Sequence, residues 1–291
     1  MTDPPPAPPP SGRGVIRSAL ADAARGFADF SGTPRLDAEL LMAHALGITR
    51  ERMILGQLDS PVPDGFAALV ARRLGHEPIA YITGTRDFWT ITLDVAPGVL
   101  IPRADSETLI EAAVAHFGQS MPATVLDLGT GSGALLLAAL DQWPGARGVG
   151  VDCSDAALAI ASANAVRLGM ADRARFVRGD WTAGIADRFD LILANPPYIA
   201  ADEPLAREVR DHEPVGALFA EEGGLAAYRA IVPELVRLLM PGGAAILEIG
   251  WTQGDAVAAM VAGAGLLPAL RADLGGRPRA IIATAPAIDR S

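Results

Sequence analysis

The chain contains no lysine, so all 24 of its basic side chains are arginine, and they are outnumbered by 34 Asp and Glu for a formal charge of −10. A protein that grips duplex nucleic acid usually carries a basic stripe to neutralise phosphates. Its absence here argues against a DNA substrate. A single cysteine, Cys153, excludes an internal disulfide framework, and the four histidines are scattered without metal-ligand spacing. The expectation is a reduced, metal-free, cytoplasmic protein. Half of the residues are hydrophobic, yet no apolar run approaches the roughly 18–20 residues of a membrane span. The first residues, MTDPPPAPPPSG, lack the basic start and apolar core of a secretory signal. They read as a short disordered proline-rich tail over 1–12.

What is present divides into three further stretches. Residues 13–76 carry helical stripes only: Ile16, Ala19, Leu20, Ala23 and Phe27, then Leu36, Leu40, Ala43 and Leu46 between Pro34 and Gly47, then Phe66, Leu69, Val70 and Leu74. They predict a small all-helical domain. Residues 77–103 include the alternating FWTITLDV and read as a β-hairpin linking two domains. From 104 to 291, apolar strands alternate with helices: TVLDLG, GVGVD, RFVRGD, FDLILAN and AAILEIG, with a helix expected over 224–239. Two late strands, PALRAD and RAIIATA, predict an antiparallel hairpin at one edge. The fold class is α/β: a doubly wound, Rossmann-like parallel sheet with helices on both faces.

Gly129, Gly131 and Gly133 follow the first of these strands in VLDLGTGSG. Glycines there allow a tight turn and close backbone approach to a ligand, and the next helix offers free N–H groups. The pattern also satisfies the dinucleotide fingerprint of oxidoreductases. Asp152, closing the second strand, could accept both ribose hydroxyls in either case. Two features favour S-adenosyl-L-methionine. Asp127, just before the glycines, suits a cationic ligand better than a diphosphate. Asp180 and Trp181 pair an acceptor for an exocyclic amine with an aromatic face for adenine.

The fourth strand ends in Asn195-Pro196-Pro197-Tyr198. Ligands of open α/β sheets sit beyond the carboxyl ends of the strands. Two prolines fix the backbone there and remove competing donors. The Asn195 side-chain oxygen and the Pro196 carbonyl can then accept both hydrogens of one planar –NH₂ group, with Tyr198 as a stacking wall. Acceptors on both N–H bonds push density toward nitrogen as positive charge develops, a stabilisation specific to the transition state. Asn195, Pro196 and Tyr198 are therefore the expected catalytic residues.

The combination of PIAYITGTRDFW, LIPRADSE, LDLGTGSG, VGVD, GDW and NPPY resembles the PrmC/HemK family of peptide-chain release factor glutamine methyltransferases. The resemblance covers about 70–290, and the helical stretch before it fits that family's architecture. It implies a class I S-adenosylmethionine-dependent methyltransferase. The implied substrate is N5 of the glutamine in the Gly-Gly-Gln motif of class I release factors. The resemblance further implies that Gly129, Thr130, Gly131, Ser132, Gly133, Asp152, Trp181 and Asn195 contact the cofactor. Asn195, Pro196, Pro197 and Tyr198 would hold the substrate amide, and Phe88 with IPRADSE would close over the methionine end. Ala104 and Ser106 depart from the family's IPRPDTE, and Ser106 or Asp105 reads equally as a helix cap. Glu213 and Glu248 read as structural residues, with Arg103 able to pair with either. The expected partner is a protein substrate, with no nucleic acid or membrane bound, and the enzyme is expected to act as a monomer. Three alternatives stand beside this reading: a glutamine methyltransferase of a ribosomal protein, an adenine-N6 DNA methyltransferase using the same Asx-Pro-Pro-aromatic device, and a non-catalytic binder of the cofactor.

Overall fold

The computed structural model describes residues 14–286, so the expected tail over 1–12 lies outside the described residues. The chain divides into two compact units, one reaching to Thr85 and including Leu205–His212, the other formed by Arg86–Pro204 and the chain from Glu213 onward.

The first unit is built from α1 (Ile16–Phe27), α2 (Pro34–Leu46), α3 (Arg50–Gly56), α4 (Phe66–Leu74) and α5 (Ile79–Thr83). α1 buries Ile16, Leu20, Ala23 and Phe27, which recur at three- and four-residue intervals on one face. Pro34 opens α2 where its missing N–H costs nothing, and Gly47 closes it in the left-handed region at φ 64°. These faces meet in one cluster with Leu41, Met42, Met53, Phe66 and Val70. The short helix Arg207–His212 belongs to this unit. Buried Arg73 joins Asp37 at 2.8 Å and Glu208 at 2.6 Å. An ion pair spanning 135 positions leaves no local signature, which is why the sequence reading assigned this segment elsewhere.

The stretch expected to link two domains is itself divided. Residues 79–83 form α5 of the first unit, whereas β1 (Thr85–Phe88) and β2 (Ile91–Asp94) pair as a hairpin. Phe88, Ile91 and Leu93 are buried in the same cluster as Leu136 and Leu193 of the second unit. Their alternation gives the hairpin an apolar face, and the hairpin is therefore part of that unit's core.

The seven remaining strands are β3 (Thr124–Leu128), β4 (Arg147–Asp152), β5 (Ala174–Arg178), β6 (Phe189–Ala194), β7 (Leu239–Glu248), β8 (Leu267–Ala272) and β9 (Pro278–Thr284). They form one sheet in the order β5-β4-β3-β6-β7-β9-β8. The first five are parallel, and β9 runs antiparallel to both β7 and β8. Strand residues alternate between two cores. Val125, Leu191, Leu193, Ala244 and Ile246 join the cluster that includes residues of α6 (Glu107–Phe117) and α7 (Ala134–Gln142). Leu126, Leu128, Ile192, Ala245 and Leu247 join the other, with Tyr228, Ile231 and Val257. A sheet buried on both faces has no polar side, which explains the nearly continuous apolar runs.

α8 (Asp155–Arg167) follows β4 and begins at Ser154, whose hydroxyl accepts the Ala157 N–H. The helix expected over 224–239 is broken into short turns, with a 3₁₀ turn at Val232–Glu234 containing Pro233. Proline lacks the N–H that would continue an α-helix. The chain passes from β3 outward through β4 to β5, then returns so that β6 lies beside β3. That reversal opens the crevice where ligands of such sheets bind. Among the described residues no helix is long and apolar enough to cross a membrane.

Candidate active site

A cavity of about 320 Å³ opens at the carboxyl ends of β3, β4, β5 and β6. Its floor is the turn after β3. The Gly129 and Thr130 N–H groups both donate to the Val151 carbonyl at 2.9 Å, which folds the chain back sharply. Gly129, Gly131 and Gly133 take φ of 73°, 55° and 85°, a region that favours glycine. A Cβ on Gly129 would lie 3.3 Å from the Trp181 ring. The glycine thus keeps open the space between turn and indole.

Asp152 holds this turn from the neighbouring strand. Its Oδ2 accepts the Gly131 N–H and its Oδ1 the Ser154 N–H, both at 2.9 Å. A carboxylate has about four acceptor sites, so further acceptor capacity remains on the cavity side. Asp180 and Trp181 also line the cavity, and Trp181 is held in the left-handed region at φ 49°.

Asp127 stands apart from the other expected residues. It is 1% exposed and is not among the cavity-lining side chains. Its Oδ2 accepts from the Thr130 hydroxyl at 2.6 Å and from the Leu136 N–H at 3.3 Å, tying the turn to the start of α7. Its Oδ1 is buried without a partner among the described residues. Burial raises its pKa to about 7. In this structure Asp127 acts on the turn.

At the other end of the cavity, Asn195 and Pro197 line the wall beside Ser106, Arg103 and Phe88. Asn195 Nδ2 donates to Ser106 Oγ at 3.0 Å, and Ser106 Oγ donates to Glu248 Oε2 at 2.5 Å. The Tyr198 hydroxyl donates to Glu248 Oε1 at 3.2 Å. One carboxylate therefore holds both polar residues of the Asn-Pro-Pro-Tyr turn. Burial first, then the Glu248 charge, pushes the Tyr198 pKa up, so this hydroxyl stays a donor. Asn195 Oδ1 and the Pro196 carbonyl accept no hydrogen bond from the described residues. Gln253 Nε2 donates to the Tyr198 carbonyl at 3.0 Å and fixes the far side of the turn.

The sequence reading missed how Ser106 and Glu248 act. Ser106 precedes α6 but its side chain makes no capping bond; it spans instead from Asn195 to Glu248. The available signal was a lone carboxylate at the end of the buried, otherwise apolar strand AAILE. Arg103 pairs with Glu213, not Glu248, at 2.5 Å, while the other Glu213 oxygen accepts the Ile101 N–H at 3.3 Å. Phe88 lines the cavity and is almost fully buried in the hairpin core. Among the described residues no group of three His, Cys, Asp or Glu could hold a metal.

A mostly parallel sheet with a glycine turn after its first strand, and an Asn-Pro-Pro-Tyr turn at the same cavity, defines a Rossmann-like class I methyltransferase. The solved catalytic domain of hMettl16 in complex with MAT2A 3'UTR hairpin 6 superposes with a TM-score of 0.58, covering 77% of this chain and 84% of that one at 16% identity, a likeness of fold alone. Residues 18–84 match the PrmC N-terminal domain and residues 104–209 the methyltransferase small domain. The release factor glutamine methyltransferase of Bordetella pertussis is 44% identical over 273 residues, which is 91% of this chain and 97% of that one. That of Cereibacter sphaeroides is 46% identical over 258 residues, 86% and 91% of the two chains. The chain belongs to the release factor glutamine methyltransferase family.

Proposed function

We propose that this enzyme transfers a methyl group from S-adenosyl-L-methionine to the side-chain amide nitrogen, N5, of the Gly-Gly-Gln glutamine of class I peptide chain release factors. One observation carries the reading. Asn195 lines the cavity on a proline-stiffened turn, and its Oδ1 and the carbonyl of the adjacent, buried Pro196 are both unpartnered among the described residues. Two fixed acceptors on adjacent backbone positions match the two hydrogens of one planar –NH₂.

The cavity residues fit the methyl donor. Asp152 has acceptor capacity left for a ribose diol. Trp181 offers an aromatic face above Gly129, and Asp180 beside it offers an acceptor for an exocyclic amine. Gly131 and Ser132 would line the methionine end with Phe88. When bound, the donor supplies an electrophilic methyl carbon on a sulfonium.

The protein's own part is orientation and charge. An amide nitrogen is a poor nucleophile because its lone pair is delocalised. Asn195 Oδ1 and the Pro196 carbonyl accept both N–H bonds and favour the cationic nitrogen that forms during transfer. Tyr198 and Pro197 bound the plane in which the amide lies. The N-methylated cation first formed is a strong acid and releases one of its two amide protons to water, leaving the neutral methylamide, so no base is needed.

The test is to incubate the purified chain with a class I release factor and labelled S-adenosylmethionine, then map the labelled peptide. One methyl on the Gly-Gly-Gln glutamine is expected, with none on adenine-containing DNA supplied in its place. Transfer to DNA and not to the factor would overturn the reading.

A further inference from the structure

We propose that Glu248 is a positioning residue which, through Ser106, decides which end of the Asn195 amide faces the substrate. This rests on the reading of Asn195 as an acceptor of the substrate amide. The oxygen and nitrogen of an asparagine side chain are nearly alike in size and shape. Packing alone cannot choose between them. The choice must come from a neighbour whose own hydrogen-bonding direction is forced.

An ionised carboxylate only accepts. With Glu248 ionised, the Ser106 O–H has to point at Oε2, at 2.5 Å. The Ser106 oxygen then faces Asn195 with a lone pair and accepts from Nδ2, at 3.0 Å. Oδ1 is thereby turned to the substrate side. The second carboxylate oxygen takes the Tyr198 hydroxyl at 3.2 Å, so both carboxylate oxygens are held, and the Tyr228 hydroxyl fixes the Glu248 backbone by donating to its carbonyl at 2.7 Å.

Protonation reverses the chain. A Glu248 carboxyl carrying its hydrogen on Oε2 donates to Ser106 Oγ, and the Ser106 O–H is released toward Asn195. The stable partner for that donor is Oδ1, so the amide turns and presents –NH₂ to the substrate. Two donors then oppose each other and the amide site is lost. Glu248 is 1% exposed. Burial raises its pKa to about 7, with Asp105 adding to the rise while Ser106, Arg279 and Tyr198 oppose it. The reversal therefore falls in the neutral range, and the active form is the ionised one.

The experiment compares wild type, Glu248→Gln, Ser106→Ala and Ser106→Thr as intact chains. Wild-type kcat for methyl transfer to release factor should rise with pH through a midpoint near 7. Glu248→Gln and Ser106→Ala should lose roughly 10- to 100-fold in kcat, the effect of one misdirected charged hydrogen bond. They should also lose that rising limb while binding S-adenosylmethionine within about twofold of wild type, a difference well below one such bond. Ser106→Thr keeps the hydroxyl and should retain both rate and limb. A second readout needs no protein substrate. The Asn195 side-chain amide resonances, identified by their loss in Asn195→Asp, should titrate near pH 7 in wild type and not in Glu248→Gln. If the resonances follow Glu248 but the factor is never methylated, the proposed substrate is wrong and the network stands. If the factor is methylated by Glu248→Gln at the wild-type rate, or with the limb intact, the positioning role is overturned and the function stands.

Discussion

At the scale of single residues, the two ends of the cavity separate into binding and chemistry. Asp152 already braces the glycine turn through two backbone N–H groups, and removing a charged acceptor costs on the order of 1.5–3 kcal/mol. Asp152→Ala should therefore weaken S-adenosylmethionine binding by roughly ten- to a hundredfold, a loss that saturating cofactor restores. Asn195→Ala should behave in the opposite way. Loss of one transition-state acceptor lowers the rate by roughly 10²–10³, and no cofactor concentration recovers it. Asn195→Asp keeps an acceptor and should retain more activity than Asn195→Ala. Calorimetry and single-turnover transfer on the three variants distinguish these effects; an Asn195→Ala enzyme with the wild-type rate would remove this residue from the mechanism. The types and order of these residues were legible in the sequence, because each sits at a strand end. The Ser106–Glu248 link was not, since its partners lie 142 positions apart.

Among elements, the Asn-Pro-Pro-Tyr turn is shaped by a segment that carries no chemistry. Gly224 lies against the Tyr198 carbonyl: a Cβ there would sit 2.1 Å from that oxygen and 2.6 Å from Gln253 Nε2, and its φ is +86°. No rotamer change relieves a clash with backbone. Gly224→Ala should push the Tyr198 backbone away and break its bond from Gln253. A displacement of about 1 Å at a reacting group can cost roughly 10²-fold in rate. The variant should lose methyl transfer to about that extent while binding S-adenosylmethionine nearly as wild type does, because the residues proposed for the ribose and adenine, Asp152, Asp180 and Trp181, end or follow other strands. Full activity in a folded Gly224→Ala enzyme, with circular dichroism unchanged, would show that the turn tolerates the shift. The sequence reading expected a helix beginning at 224; left-handed backbone at Glu222 and Gly223 instead precedes it. Such a conformation is dictated by what the segment packs against.

For the whole molecule, two buried carboxyl groups control how stability varies with pH. Asp127 and Glu248 have pKa values raised by burial to about 7 from ordinary values of 3.8 and 4.5. A carboxyl whose folded pKa exceeds its unfolded one contributes stability that is full below about pH 4 and lost as pH rises through about 7. These shifts are worth on the order of 3–4 kcal/mol each. His76, whose pKa is lowered mainly by burial, works the other way, its penalty on the folded state fading as pH rises toward its ordinary value and being absent above it. The paired carboxylates Glu39 and Glu77 have lowered values, and their contribution disappears only in more acidic solution. Between about pH 5 and 8 the two raised groups dominate, so the melting temperature of the cofactor-free protein should fall as pH increases. Asp127→Asn should flatten that decline by about half. A melting temperature that climbs across this range, or an unchanged slope in Asp127→Asn, would contradict the assignment.

The sequence by itself determined the layered α/β fold, the helical stripes of the first unit and the edge hairpin. Periodicity, glycine and proline act over a few residues, and a sheet buried on both faces requires apolar strands throughout. It also determined the two motifs facing the cavity, because strand ends of a parallel sheet share one side. Only the tertiary structure decided that the 85–94 hairpin is core, that Leu205–His212 joins the helical unit through Arg73, and that Asp127 braces the turn from below. It alone brought Ser106, Asn195, Tyr198 and Glu248 together. These outcomes depend on hydrogen bonds and ion pairs between residues far apart in the chain, whose partners are chosen when burial leaves a polar group no water to turn to.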